Sequence, residues 1–109
     1  MRIYVYTVKS PQEIINFLDQ HNEGYIKFCN AKAVCTDLER EHVISTGQRQ
    51  QLESSQSVAE SNRLFYQFLS NDPAPETLKG AAKVLKNASG TTNMNKTFAT
   101  LIETFLQSC

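Results

Sequence analysis

Three lysines recur at helical spacing in the stretch ETLKGAAKVLK, which covers residues 76–86. Lys79, Lys83 and Lys86 lie four and three residues apart, so they form one stripe on a helix. A basic stripe can lie along a phosphate backbone, where each contact adds salt-dependent affinity. The opposite face consists of leucine and alanine, and no aromatic side chain is interleaved for base stacking. The pattern therefore favours the solvated side of an ordinary helix, with nucleic-acid binding through the three lysines as the alternative.

An acidic run lies near the middle of the chain. Asp37, Glu39 and Glu41 lead into residues 45–62, a stretch rich in glutamine and serine. A polar, adaptable surface beside several carboxylates can bind a basic partner protein, although a solvated helix gives the same pattern. We take these three carboxylates as the candidate partner-binding residues, with another protein of basic character as the expected partner.

Cysteine and histidine are the residue types that could bind a metal ion. Cys29, Cys35 and His42 are the candidate ligands, with His21 or Asp37 as a fourth. Structural zinc sites usually contain ligand pairs two to four residues apart, because one tight turn presents both ligands to the ion. Here five and six residues intervene, so no tight pair exists. We therefore predict no metal site and no cofactor, and we interpret both cysteines as small core residues.

A redox role is a further alternative for Cys29 and Cys35. If residues 25–29 and 32–36 were paired strands, the two cysteines would become cross-strand neighbours at a separation that suits a disulfide. In a reducing cytosol they would stay as thiols. Only their spacing supports this hypothesis.

Catalytic machinery is difficult to assemble from this sequence. A nucleophilic cysteine or serine needs a base within reach, and only His21 and His42 are histidine bases. His42 stands among acidic residues in LEREHVIS, where a solvated helix surface is the simpler account. The chain contains no G-x-S-x-G elbow, P-loop, G-x-G-x-x-G or H-E-x-x-H motif. We therefore predict a protein without catalytic activity.

Composition limits the class of protein further. The chain has 109 residues, which suits a single domain, 1–109, with a modest core. Eleven basic and eleven acidic side chains give zero net charge, whereas nucleic-acid binders usually carry a basic excess. Three cysteines do not describe a disulfide scaffold. The apolar N-terminal run is too short for a signal peptide and no stretch could span a bilayer, so we expect a cytoplasmic protein.

The N-terminal part is predicted to contain a small sheet. Residues 2–8, RIYVYTV, are β-branched and aromatic, which is typical of a strand. Residues 25–29 and 32–36 are shorter runs of the same kind, so the sheet would have two to three strands. Ser10 and Glu13 form a capping box that begins a helix crossing this sheet.

Helices are predicted for the rest of the chain. A long helix should end in RLFYQFL, residues 63–69, with its exposed N-terminal part in residues 45–62. A further helix runs from 76 to about 87, and the last has apolar residues at helical spacing over 94–106.

This element order defines an α+β fold, with a small N-terminal sheet of two to three strands and one crossing helix followed by a helical C-terminal half. By elimination, the sequence favours a small non-enzymatic protein-interaction module, such as an inhibitor, immunity or antitoxin-type protein or an adaptor. Nucleic-acid binding and a cysteine-based redox or metal site are the alternatives.

Overall fold

The computed structural model describes residues 9–108, which form six α-helices and two short 3-10 helices. The α-helices are α1 (Pro11–Asn22), α2 (Cys35–Arg40), α3 (Thr46–Ser54), α4 (Val58–Asn71), α5 (Pro75–Asn87) and α6 (Asn93–Gln107). The 3-10 helices, Ile26–Phe28 and Lys32–Val34, lie between α1 and α2.

The predicted α+β fold is wrong, because residues 9–108 contain no strand. Residues 25–29 and 32–36, predicted as strands, instead contain the two 3-10 helices and the start of α2. The remaining predicted strand, residues 2–8, lies outside the described residues. The protein is therefore helical throughout the part that the structure describes.

The segment between α1 and α2 follows a helical course because its backbone groups bind side chains instead of a neighbouring strand. Asn62 on α4 and Asn95 on α6 accept from and donate to the backbone of residues 27–31. A hydrophobic alternation such as Ile26 and Phe28 resembles a strand, but here only Ile26 is buried. The long-range hydrogen bonds, rather than the local hydrophobic pattern, determine the conformation of this segment.

The predicted long middle helix is also wrong, since it is divided into α3 and α4. Ser45 caps α3, and the Ser57 Oγ accepts from the Glu60 N–H at 3.1 Å to cap α4. Ser55 between them has an extended backbone, with ψ of 145°. Serine favours helix starts over helix interiors, which explains the division.

The other predicted helices are confirmed. In α1, the Ser10 Oγ accepts from the Glu13 N–H at 3.1 Å, and the Glu13 carboxylate accepts from the Ser10 N–H at 3.0 Å. The helix predicted over 76–87 is α5, and the amphipathic C-terminal helix is α6, capped by Thr92. These two helices pack against each other, and the ring of Phe17 on α1 lies 4.3 Å from that of Phe105 on α6.

The turn after α2 packs closely against α5 at Gly80. It is a Schellman motif, in which the Val43 N–H donates to the Leu38 carbonyl and the His42 N–H to the Glu39 carbonyl, both at 2.9 Å. His42 takes the left-handed conformation that this motif requires, with φ of 60°. A Cβ at position 80 would lie 2.9 Å from the Val43 Cγ2, so only glycine allows this approach.

We expect Gly80→Ala to lower the free energy of unfolding by about 1–3 kcal/mol, because the β-branched Val43 side chain cannot move aside easily. Gly47 in α3 is the matched control, since a Cβ there meets nothing nearer than the Ser45 Oγ at 4.0 Å. Gly47→Ala should raise stability by up to about 1 kcal/mol, as in ordinary exposed helices. Urea denaturation of both variants measures whether each change raises or lowers the free energy of unfolding. A Gly80→Ala protein more stable than wild type would contradict the close approach of Val43 to Gly80.

Candidate interaction surface

The acidic run on and after α2 is paired with basic side chains of the same chain. The Arg40 Nη1 lies 2.8 Å from the Asp37 Oδ1, and the Lys83 Nζ on α5 lies 3.3 Å from the Glu41 carboxylate. A residue of the lysine stripe thus partly neutralises a residue of the acidic run. The structure therefore brings together two candidate sites that the sequence treats as separate.

Glu39 has the most partners of the three acidic residues. Its carboxylate accepts from the Thr46 Oγ1 at 2.8 Å and from the Arg49 Nε, and Arg49 also lies 2.7 Å from Glu53. The hydrogen bond from Thr46, followed by the hydrogen bond and the positive charge of Arg49, lowers the pKa of Glu39. These contacts join α2 to α3, so reversing the charge of Glu39 would disturb the fold as well as any partner contact.

The lysine stripe lies on the exposed side of α5, as the sequence predicts. Lys86 binds Glu103 on α6 at 3.1 Å, and Lys83 binds Glu41. Among residues 9–108, no carboxylate lies within 4 Å of the ammonium group of Lys79. Two of the three positive charges are therefore partly cancelled, which weakens the stripe as a surface for phosphate.

The two cysteines in the described residues are buried thiols. Burial raises the pKa of Cys29 to about 12. Burial, followed by the nearby Glu53 carboxylate, also raises the pKa of Cys35, whose Sγ lies 3.9 Å from the Glu53 Oε1. Since thiolates are the reactive form, neither residue is a ready nucleophile. The strand pairing that would have made them cross-strand neighbours does not form in the described part of the chain.

The two histidines have separate surroundings. His21 packs between the rings of Phe17 and Tyr25, with centroids 4.8 and 5.5 Å away, and burial lowers the pKa of His21. His42 is exposed in the turn after α2. Within residues 9–108, no three histidine, cysteine or acidic side chains gather in an arrangement that could hold a metal ion.

A groove of about 340 Å³ lies between α1 and α6, with an aromatic floor and Glu13 in its lining. A carboxylate beside aromatic rings could attract a cation. The chain itself supplies one, because the Lys9 Nζ lies 5.0 Å from the centre of the Phe105 ring and 3.1 Å from the Ser108 Oγ. The positive charge of Lys9 would oppose a second cation at this end of the groove.

Asn62 is a buried residue that the sequence analysis did not select. Its side chain is 1% exposed, and every polar atom of its amide is hydrogen-bonded. The Nδ2 donates to the Lys27 carbonyl at 3.0 Å and to the Cys29 carbonyl, while the Oδ1 accepts from the Ala31 N–H at 3.0 Å. The amide therefore replaces the partners that a neighbouring strand would have provided.

Asn95 on α6 also binds the backbone of this segment. It is fully buried on α6; its Oδ1 accepts from the Asn30 N–H at 2.8 Å and its Nδ2 donates to the Asn30 carbonyl at 3.2 Å. In the sequence, Asn95 shares the apolar helix face of Phe98 and Ile102. A polar residue on such a face was the available signal, because a buried amide must find hydrogen-bond partners.

The segment held by these amides presents an exposed aromatic ring. Phe28 is 61% exposed, although its neighbour Cys29 and the nearby Ile26 are buried. Val58, in the first turn of α4 and one turn before Asn62, is 43% exposed. These are the two large hydrophobic residues with exposed side chains in the described part of the chain.

None of the protein-family models, characterised proteins or solved structures compared with this chain matches it. Between residues 9 and 108, no helix is both long and apolar enough to cross a membrane. What the protein does must therefore be inferred from its own surface.

We expect Asn62→Ala to lower the free energy of unfolding by about 2–4 kcal/mol, because it leaves an N–H and two carbonyls without their partners. Asn16→Ala is the control, since Asn16 is exposed on α1 and its side chain contacts only Gln12 by hydrogen bond. That change should stay within about 0.5 kcal/mol of wild type. Equal changes in unfolding free energy for Asn62→Ala and Asn16→Ala would show that the buried amide contributes little to stability.

The Cys29 thiol should make stability depend on pH in alkaline solution. Its pKa rises from 9.0 to about 12 on folding, so the folded chain keeps a proton that the unfolded chain releases. The protonated Cys29 thiol therefore contributes to the free energy of unfolding. This contribution is complete below about pH 9 and is lost as the pH rises towards the pKa of Cys29 in the folded chain. The stability advantage of wild type over Cys29→Ala should therefore narrow between pH 8 and 10.5, roughly, in urea titrations. A stability difference between wild type and Cys29→Ala that stays constant over this pH range would contradict the raised pKa of Cys29.

Proposed function

We propose that this protein is a small non-enzymatic protein-interaction module of the inhibitor, immunity, antitoxin or adaptor kind. The observation that carries the proposal is the exposed ring of Phe28 on a segment that Asn62 and Asn95 hold in place. Aromatic side chains, Phe among them, are enriched in the buried cores of protein interfaces relative to the rest of the protein surface.

An exposed apolar residue is common on protein surfaces and has no functional meaning by itself. Phe28 differs because the backbone on both sides is fixed by hydrogen bonds from two different helices. A ring presented by an ordered segment loses little conformational freedom on binding, which favours affinity. The same constraint prevents the segment from turning the ring into the core.

The acidic run supplies a second contact in this proposal. The ion pairs of Asp37 and Glu41 lie near the surface, where such pairs contribute little to stability, so a basic partner could compete for these carboxylates. Glu39 is less available, because it joins α2 to α3 through Thr46 and Arg49. A partner contact at the acidic run is therefore best tested with Asp37→Asn and Glu41→Gln, which leave Glu39 intact.

A cytoplasmic location is part of the proposal, since buried free thiols suit a reducing compartment. The alternative functions have less support. The ion pairs of Lys83 and Lys86 reduce the charge available to a nucleic acid, and the burial of Cys29 and Cys35 disfavours redox exchange.

The proposal is tested with the full chain as bait in a lysate of its native host. Wild type should retain a partner protein, and Phe28→Ala should weaken its retention at least about tenfold. Lys79→Ala is the control, since it removes an exposed side chain from α5 and should leave retention unchanged. Thermal unfolding should show that Phe28→Ala folds as stably as wild type, because the ring contributes little to the core.

Two outcomes would oppose the proposal. Equal retention of the partner by wild type and Phe28→Ala would remove Phe28 from the interface. No retained protein with either bait, in repeated lysates and at low salt, would count against an interaction module altogether.

A further inference from the structure

The groove between α1 and α6 combines an apolar floor with two side-chain amides. Its lining contains the rings of Phe17 and Phe105, whose centroids lie 4.3 Å apart, and the side chain of Leu101 on α6. Asn16 and Gln20 line the same groove from exposed positions on α1, whereas Phe17 is buried. The groove volume of about 340 Å³ lies within the range of roughly 300–1,000 Å³ that is usual for ligand sites, whose linings are apolar with a few polar groups.

The groove attracts neither a cation nor an anion strongly at neutral pH. Within the described residues, Glu13 and His21 are the titratable side chains of its lining. Hydrogen bonds from the backbone and side chain of Ser10 and, more weakly, the charge of Lys9 lower the pKa of Glu13, so its carboxylate is ionised and lies near a positive charge. Burial lowers the pKa of His21, which keeps its imidazole neutral. Since the charges of Glu13 and Lys9 oppose each other, an uncharged ligand suits this groove best.

The two amides repeat at nearly the spacing of an extended peptide. Asn16 and Gln20 lie four residues apart on α1, which corresponds to about 6 Å along the helix axis. Alternate residues of an extended chain lie about 6.6 Å apart. A side-chain amide both donates and accepts hydrogen bonds, so each can bind the N–H and the C=O of a peptide backbone. The Asn16 Oδ1 already accepts from the Gln12 Nε2 at 2.9 Å, but this contact is exposed and uses one of the two lone pairs of the oxygen.

We propose that this groove binds an extended, uncharged apolar segment of a partner protein. The inference rests on the proposed function, to which it adds a second contact and the chemistry of the partner segment. The backbone of the segment would bind the amides of Asn16 and Gln20, and alternate apolar side chains would pack against Leu101 and the two rings. The α1 wall extends from residue 13 to residue 21, about 12 Å, which about four extended residues would cover.

A helical or charged segment fits these groups less well. A helix satisfies the hydrogen bonds of its own backbone, whereas an extended backbone has an N–H and a C=O on each residue that need partners. A groove about 12 Å long would also contact only about two turns of a helix. A charged residue in the segment would lose hydration in the groove without gaining a net opposite charge.

The first experiment selects peptides from a phage-displayed random library on the folded full chain. We expect the selected sequences to share a run of about four residues without charge and with apolar side chains at alternate positions. Selected runs with apolar residues at helical spacing, or with acidic or basic residues at fixed positions, would overturn the inference. Failure to select any peptide would overturn it as well.

The second experiment measures the affinity of the selected peptides for a variant that combines Asn16→Ala with Gln20→Ala. Loss of the two amides should weaken binding about tenfold. The matched control combines Gln67→Ala with Asn71→Ala, which removes two exposed amides four residues apart on α4 and should change the affinity less than about twofold. Equal affinities for wild type and the α1 variant, with thermal unfolding showing that both are folded, would contradict the proposed site.

Sedimentation of wild type and the α1 variant tests a different occupant. Wild type should not self-associate through this groove. Self-association that the α1 variant abolishes would place a second copy of the chain in the groove and would overturn the inference.

The peptide experiments do not need the natural partner. If the selected peptides bind as expected while the lysate retains no protein, the groove chemistry stands and the proposed function fails. If a retained partner depends on Phe28 but no selected peptide depends on Asn16 and Gln20, the proposed function stands and this inference fails.

Discussion

Asn62 and Asn95 bury two side-chain amides whose polar atoms all bind the backbone of residues 27–31. Burying an amide without partners costs several kcal/mol, on the order of 2–7, so the two helices and the segment must be placed together. This constraint decides the fold of the region between α1 and α2, because it satisfies the groups that a sheet would have satisfied. It also fixes the exposed ring of Phe28, on which the proposed interaction depends.

Most of the charged side chains in the acidic run and the lysine stripe form ion pairs within the protein. Glu39 joins α2 to α3, while Glu41 and Lys83 link the turn after α2 to α5 close to Gly80. Candidate residues that the sequence assigns to two different partners are thus neighbours in one structure. Surface ion pairs are weak, so a partner can replace them with its own contacts. Charges that have no partner within the protein therefore indicate a binding surface better than the sequence position of charged residues does.

Local signals explain which elements the sequence predicts correctly. Ser10 with Glu13 begins α1 through a capping box, and the apolar periodicity of α6 depends only on neighbouring residues. The strands predicted over residues 25–29 and 32–36 are wrong because a short apolar alternation does not distinguish a strand from a segment whose partners are distant side chains. Asn95 lies 65 residues from Asn30, so no local pattern reveals their contact. The exposure of the lysine stripe was predictable, whereas its acidic partners on other elements were not.

The most direct test of the central constraint is native-state hydrogen exchange at the amides of Asn30 and Ala31. Both N–H groups donate to a buried asparagine, at 2.8 and 3.0 Å. If the two side chains fix this segment, these amides should exchange only through global unfolding, with an opening free energy equal to that of unfolding. Exchange at nearly the rate of an unstructured peptide would show that the segment opens freely and that Phe28 is not held in place.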